Sequence, residues 1–255
     1  MSQVLKNLNK SLIRIISETN GLSLNNTLEL LALDSQITPN EKKLIQEFKE
    51  LTNQFQADRI LINQLLKHPI CESLFYFFKN FPSPYYEEHI HLTGSLTPDF
   101  IWNNFEPLLH SKLGPIYKEK IKEIYQEKNI SIKSPDDIKN LIQLKDDGDF
   151  SRYLKILFLP KLILRDREIH EKAAFHMAKE LYEKYNVGHL RLKFTLSRST
   201  GIEDEQIPGL NNLTEEDVIV GLFHGFLSYK KINPLFNFTL APSFRKEAHF
   251  YNGKY

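Results

Sequence analysis

The sequence predicts a mixed α/β fold in two parts. An all-helical region spans residues 1–80, and strands separated by helices follow over 85–255, the order that builds a parallel sheet or barrel. Three observations predict it. Apolar residues recur at helical spacing through the first part. Three short apolar or alternating segments follow, at 87–92, 188–196 and 235–240, with helical pattern between them. Between the two parts, Phe81-Pro82-Ser83-Pro84 interrupts both periods and marks a boundary.

The elements follow in order. Val4, Leu5, Leu8, Leu12, Ile15 and Ile16 form a first helical stripe. Thr38-Pro39-Asn40-Glu41 places a capping hydroxyl, a first-turn proline and a reciprocal acid where a helix begins, and Leu44, Ile45, Phe48 and Leu51 continue it. Ile60 to Leu66 and Cys71 to Phe78 extend the pattern. These stripes read as helix-packing core, with an oligomer surface or regulatory cap as the functional alternative. Beyond the boundary, Glu87–Leu92 reads as a strand and Thr97-Pro98-Asp99 opens a helix through Trp102. A charged helix follows over about 114–128, then two long helices over Asp149–Leu164 and Glu168–Tyr185. Gly188–Leu196 alternates as a second strand, Ser199–Asn212 is a loop, Thr214-Glu215-Glu216 caps a helix to about Tyr229, and Leu235–Leu240 is a third strand.

The totals exclude several classes. Hydrophobic residues make up 41%, enough for a sizeable core and against wholesale disorder. Lys and Arg total 33 against 32 Asp and Glu, so the net charge of +1 exerts no general pull on nucleic acid or an acidic membrane. Cys71 is the one cysteine, which excludes an internal disulfide and a cysteine-rich zinc module. No apolar run is long enough for a membrane span and the first residues do not make a secretory signal, so a cytoplasmic protein is expected.

The segment that points to chemistry is Glu87-Glu88-His89-Ile90-His91-Leu92-Thr93-Gly94. On a strand, His89 and His91 project from one face while Ile90 and Leu92 turn to the packing on the other. Two imidazoles on a stiff support make half a site for a borderline metal such as zinc. They stand near the carboxyl end of their strand, the end that carries chemistry in a β/α barrel. Gly94 is expected to allow a sharp turn or a close ligand approach there. Spacing alone leaves an ordinary pair of surface histidines open.

The run Glu88-His89-Ile90-His91-Leu92 with Gly94 resembles the first-strand zinc motif of the adenosine deaminase family. Asp149-Phe150-Ser151-Arg152-Tyr153-Leu154, the following long helix, the second strand, and Leu235–Ser243 with Arg245 are similar to that family's order over about residues 85–246. The resemblance implies a (β/α)8 TIM barrel of the metal-dependent hydrolase type with one Zn2+ at its carboxyl face, of which this chain holds the first three strands after an N-terminal helical extension. It implies hydrolytic deamination of a purine nucleoside or nucleotide, with a metal-activated water as nucleophile and a carboxylic acid as proton donor. It assigns His89 and His91 to the metal, His91, Thr93 and Gly94 to the substrate's surroundings, and Phe150, Tyr153 and Leu154 to an apolar lid, where ordinary helix core is the alternative.

The chain departs from the family at two points. Thr93 stands where the family has an Asp that holds a sugar hydroxyl; a neutral hydroxyl repels a phosphate less, which favours a nucleotide or modified nucleoside. The remaining metal ligands and the proton-donating Glu are expected beyond Tyr255, on a longer chain or a partner, unless the chain is a non-catalytic interaction module. Divergent family members carry extra helical regions, assemble, and act on nucleotides in antiviral defence; residues 1–80 and Thr93 are compatible with that, including a homo-oligomer through the N-terminal helices. A different metal-dependent amidohydrolase is the nearer rival. Of the other histidines, His68, His110, His170, His176, His189 and His224 are poorly placed as ligands, and His249 in Glu247-Ala248-His249 is the best local candidate. Arg191 and Lys193 share a strand face, Arg198 is a phosphate candidate by position, and Asp146-Asp147-Gly148-Asp149 is an acidic turn that either holds a cation or caps a helix.

Overall fold

The computed structural model describes residues 4–19, 23–57, 62–126, 130–144, 150–195 and 213–243. Contacts divide the chain into two compact units, Met1–Ser83 and Pro84–Tyr255.

The first unit is helical: α1 (Val4–Glu18), α2 (Leu24–Leu33), α3 (Pro39–Ala57), α4 (Ile62–Lys67) and α5 (Pro69–Lys79). Their apolar stripes meet in one core containing Leu8, Leu12, Leu31, Ile45, Phe48 and Phe77. The expected start of α3 is present. The Thr38 hydroxyl accepts from the Glu41 N–H at 3.3 Å, and Glu41 Oε2 accepts from the Thr38 N–H at 2.9 Å. Glu41 is itself buried, and its other oxygen accepts from the Leu8 N–H at 3.2 Å, so the cap also ties α3 to α1.

The second unit contains a parallel sheet in the order β1 (Tyr85–His91), β2 (Val187–Thr195), β3 (Asn237–Ser243). The β1–β2 connection carries α6 (Pro98–Leu109), α7 (Gly114–Tyr125), α8 (Pro135–Ile142), α9 (Phe150–Ile156), α10 (Phe158–Ile163) and α11 (Arg167–Tyr185). The β2–β3 connection carries α12 (Glu215–Ile232). Alternation along β2 sorts the two faces. Leu190 and Leu192 are wholly buried with Phe226 and Phe236, whereas His189, Arg191, Lys193 and Thr195 point the other way and stay exposed or half-exposed. Helices cover one face and the other is open and polar, which is compatible with a segment of a β/α barrel, whose second face looks into the barrel.

α11 and α12 form the tightest helix contact. A Cβ built on Gly225 would lie 2.1 Å from the Glu171 carbonyl oxygen, and one on Gly221 would lie 2.6 Å from that of Arg167. Only hydrogen at these positions lets the two backbones approach so closely.

Three expectations change. The helix expected over Asp149–Leu164 is two helices, broken at Leu157. Pro160 has no N–H to give the Ile156 carbonyl and its ring crowds that group; α9 therefore ends at Ile156, and Pro160 sits in the first turn of α10, where no such bond is due. α8, read from sequence as no element, begins with Ser134-Pro135-Asp136-Asp137, a cap signal confirmed by the Ser134 hydroxyl accepting from Asp137 N–H at 3.3 Å. α6 runs past Trp102 to Leu109.

Candidate metal centre

β1 is irregular where it carries its histidines. Glu87 pairs with Leu190 and Ile90 with Leu192, so three steps along β1 match two along β2. This is a β-bulge, a device that re-aims side chains near the end of a strand. Glu87 Oε1 accepts from the His89 N–H at 3.0 Å and holds the bulged segment. His89 and His91 are both exposed and lie together, with Nε2 to Nε2 at 3.2 Å. Immediately after them the chain makes a 3-10 turn over Leu92–Gly94, fastened by the Ser95 hydroxyl donating to the His91 carbonyl at 2.7 Å.

That separation suits a shared cation. Two nitrogens bound to one tetrahedral zinc, each about 2.0–2.1 Å from it, stand about 3.3 Å apart. The donor set suits it too. Although His91 is exposed, partial desolvation on the strand, then the neighbouring His89 and Lys193, hold it below the ordinary imidazole value and favour its neutral form, with a lone pair available. Among the described residues, no group of three or more His, Cys, Asp or Glu could hold a metal ion, so His89 and His91 do not make a complete metal centre there.

Lys193, which sequence reasoning placed only on a shared face with Arg191, is the residue that completes the local network. Its Nζ is 3.2 Å from His89 Nδ1. One proton arrangement satisfies both contacts: Lys193 donates to Nδ1 of His89, and His89 donates from Nε2 to Nε2 of His91. A cation held between the two Nε2 atoms would have to displace that proton and would face the positive charge of Lys193. No sequence signal announces this contact; it comes from the register, in which His91 pairs with Lys193 across the two strands.

The other sequence candidates are distributed as follows. Thr93 is half-buried in the 3-10 turn, and its side chain has no hydrogen-bond partner among the described residues. Gly94 ends the 3-10 turn, so the chain does turn sharply there; its φ lies outside the left-handed range and an added Cβ would meet nothing within 4 Å, because a 3-10 turn keeps ordinary right-handed angles. Phe150, Tyr153 and Leu154 lie on α9. Tyr153 is 43% exposed, and the side chains of Phe150 and Leu154 fall outside the described residues. α10, the next helix, packs on the turn that follows His91.

Four of the remaining histidines have structural partners among the described residues. His170 is buried and its Nδ1 donates to the Asp166 carbonyl at 2.8 Å. His176 stacks on Phe100 with centroids 4.7 Å apart and meets the Thr97 hydroxyl at 2.9 Å. His189 stacks on Tyr86 with centroids 4.0 Å apart, and its Nε2 lies 3.1 Å from the Thr239 hydroxyl. His68 caps α5 by accepting from the Ile70 N–H. His249, Glu247, Arg245, Arg198 and the acidic turn Asp146–Asp149 lie outside the described residues.

No family model matches the chain, and no curated protein matches it. Among solved structures it is similar to an adenine deaminase from Arthrobacter aurescens, with a TM-score of 0.42 and 11% identity over 62% of this chain. The match spans 38% of that protein's length. A likeness at that level assigns no residue here. No helix among the described residues is long and apolar enough to cross a membrane.

Proposed function

We propose that residues 84–255 carry the first two ligands of a zinc-dependent hydrolase that deaminates a purine nucleoside or nucleotide, converting an adenosine or adenine nucleotide to its inosine form and ammonia. The observation that carries the reading is the 3.2 Å separation of His89 and His91 Nε2 at the carboxyl end of a parallel strand. The resemblance of the surrounding motif to the adenosine deaminase family supports the substrate class.

When bound, the metal supplies Lewis acidity and a water acidified for attack on a ring carbon. The chain's own residues do the rest of what is described here. His89 and His91 present their lone pairs from one face, held by the bulge and by the Ser95 bond to the His91 carbonyl. The Thr93 hydroxyl, just past His91 and without a partner among the described residues, offers a donor and an acceptor to a sugar without placing a negative charge near a phosphate. The further ligands and the proton-donating acid lie outside the described residues or on a second chain. Self-association through the helices of residues 1–83 belongs to the same proposal.

Zinc binding is the direct test. In a chelator-competition titration, the complete protein, with its further ligands present, takes up one equivalent, and His89→Ala or His91→Ala weakens it at least tenfold, in line with losing one donor of a small set. Ammonia release from adenosine and adenine nucleotides, assayed with the zinc-loaded protein, falls to background in both variants. Stoichiometric zinc retained by the double variant, or turnover only of amide or ester substrates, overturns the assignment.

A further inference from the structure

A cavity of about 460 Å³ opens in the second unit, away from the strand that carries the histidines. Its walls come from α6, α7 and the segment just before α8. Trp102, Glu106, Leu109 and His110 recur on one side of α6 at helical spacing and line it, with Lys118 and Ile121 of α7 opposite. Ile130, Ile132 and Lys133 close it. The volume lies in the range that holds a bicyclic organic molecule and is far larger than an ion needs.

The lining has two characters. Trp102, Leu109, Ile121 and the two isoleucines give apolar walls with one flat aromatic surface. The charges are uneven: Lys118 and Lys133 against Glu106. On α7, Lys120 pairs with Glu123 at 3.3 Å and Lys122 with Glu119 at 2.8 Å. Lys118 and Lys133 make no ion pair among the described residues, although the Lys133 charge is felt by Asp137, which accepts from the Lys133 N–H. Of the three lysines of α7, Lys118 is the one without an ion pair among the described residues, and Lys133 has only the attraction of Asp137.

We infer that this cavity is a binding site for a small aromatic carboxylate, its ring against Trp102 and its anionic group between Lys118 and Lys133. Trp102 and the aliphatic side chains favour a ligand with an apolar ring over free phosphate, which would leave that part of the wall without a partner. A cationic ligand meets two like charges for each unlike one. The site is independent of the metal-centre proposal.

Trp102 is the sole tryptophan, so its indole N–H gives one isolated signal in a 1H–15N spectrum that reports this cavity. The full chain is titrated with 1-naphthaleneacetate, with its neutral amide, and with 1-naphthylmethylamine. The acetate shifts the indole signal saturably and binds about fivefold more tightly than the amide, the size of effect two exposed ion pairs give. The amine binds more weakly still. Lys118→Glu with Lys133→Glu, both exposed positions, leaves thermal unfolding unchanged and reverses the order. Equal affinity for all three probes, tighter binding of the amine, or no saturable shift of the indole signal overturns the proposal.

Discussion

The two faces of the three-stranded sheet are built from alternate residues of the same strands, yet they serve opposite ends. On the helix-covered face, Leu190 and Leu192 have no exposure and join a core with Phe226, Phe236 and the α11–α12 pair. On the open face, His89, His91, Arg191 and Lys193 are exposed or half-exposed, and the contacts there are polar. Burial of apolar area is non-directional and stabilises whatever is covered. An exposed polar face depends on direction and on free lone pairs, and contributes little to folding by itself. The contrast teaches that stability and chemistry can be separated along one strand with a period of two.

Breaking the covered side should have the largest effect. Gly225→Ala places a methyl 2.1 Å from the Glu171 carbonyl, a backbone atom that cannot turn aside. The α11–α12 contact must open, and unfolding measured with denaturant should show a loss of about 3 kcal/mol or more, outweighing the better helix propensity of alanine by far. Leu192→Ala leaves a cavity at a fully buried position and should cost about 3 kcal/mol by the same measurement. If either variant melts like wild type, the close packing described for this face is wrong.

An acid titration sharpens the same side. Burial, the dominant cause, holds His170 below its ordinary value of 6.5, only partly opposed by the Asp166 carbonyl and the charges of Asp166 and Asp217. The unfolded chain therefore takes up this proton first. Stability from this group is complete above about pH 6.5 and falls as the pH drops below it toward the folded value. Unfolding followed through Trp102 fluorescence should lose transition temperature between pH 7 and 5, and His170→Gln should flatten that slope. An unchanged slope would mean that His170 does not titrate with unfolding.

The open side should respond in the reverse sense. Lys193→Met removes a positive charge beside His89, so zinc affinity should rise by about fivefold, roughly 1 kcal/mol, while the unfolding curve barely moves. Weaker zinc binding in this variant would show that Lys193 supports the site rather than opposing it. Changes at His89 and His91 belong with it: zinc is lost and stability stays within about 0.5 kcal/mol, as is usual for exposed positions.

Much of this was legible in the chain itself. Period two marked the strands, and the Thr38–Glu41 and Thr214 caps announced α3 and α12, the latter a full capping box between Thr214 and Asp217. These signals are local, since a cap or an alternation is written in residues a few positions apart. His89 and His91 on one face followed from the same rule. The break at Leu157 was also written locally, in Pro160, and was hidden by an otherwise unbroken apolar run.

What only the tertiary structure decided was non-local. The bulge at Glu87–Ile90, the 3.2 Å approach of the two imidazoles and the Lys193 contact from 104 residues away depend on how β1 registers against β2. So does the pairing of His176 with Thr97, and the cavity that gathers Trp102, Lys118 and Lys133. The sequence by itself determined which residues alternate, where helices start and which side chains could bind a metal, because those are properties of the backbone period and of each residue's own chemistry. Distances between chain-distant groups are set by the packing of whole elements, and no local pattern carries them.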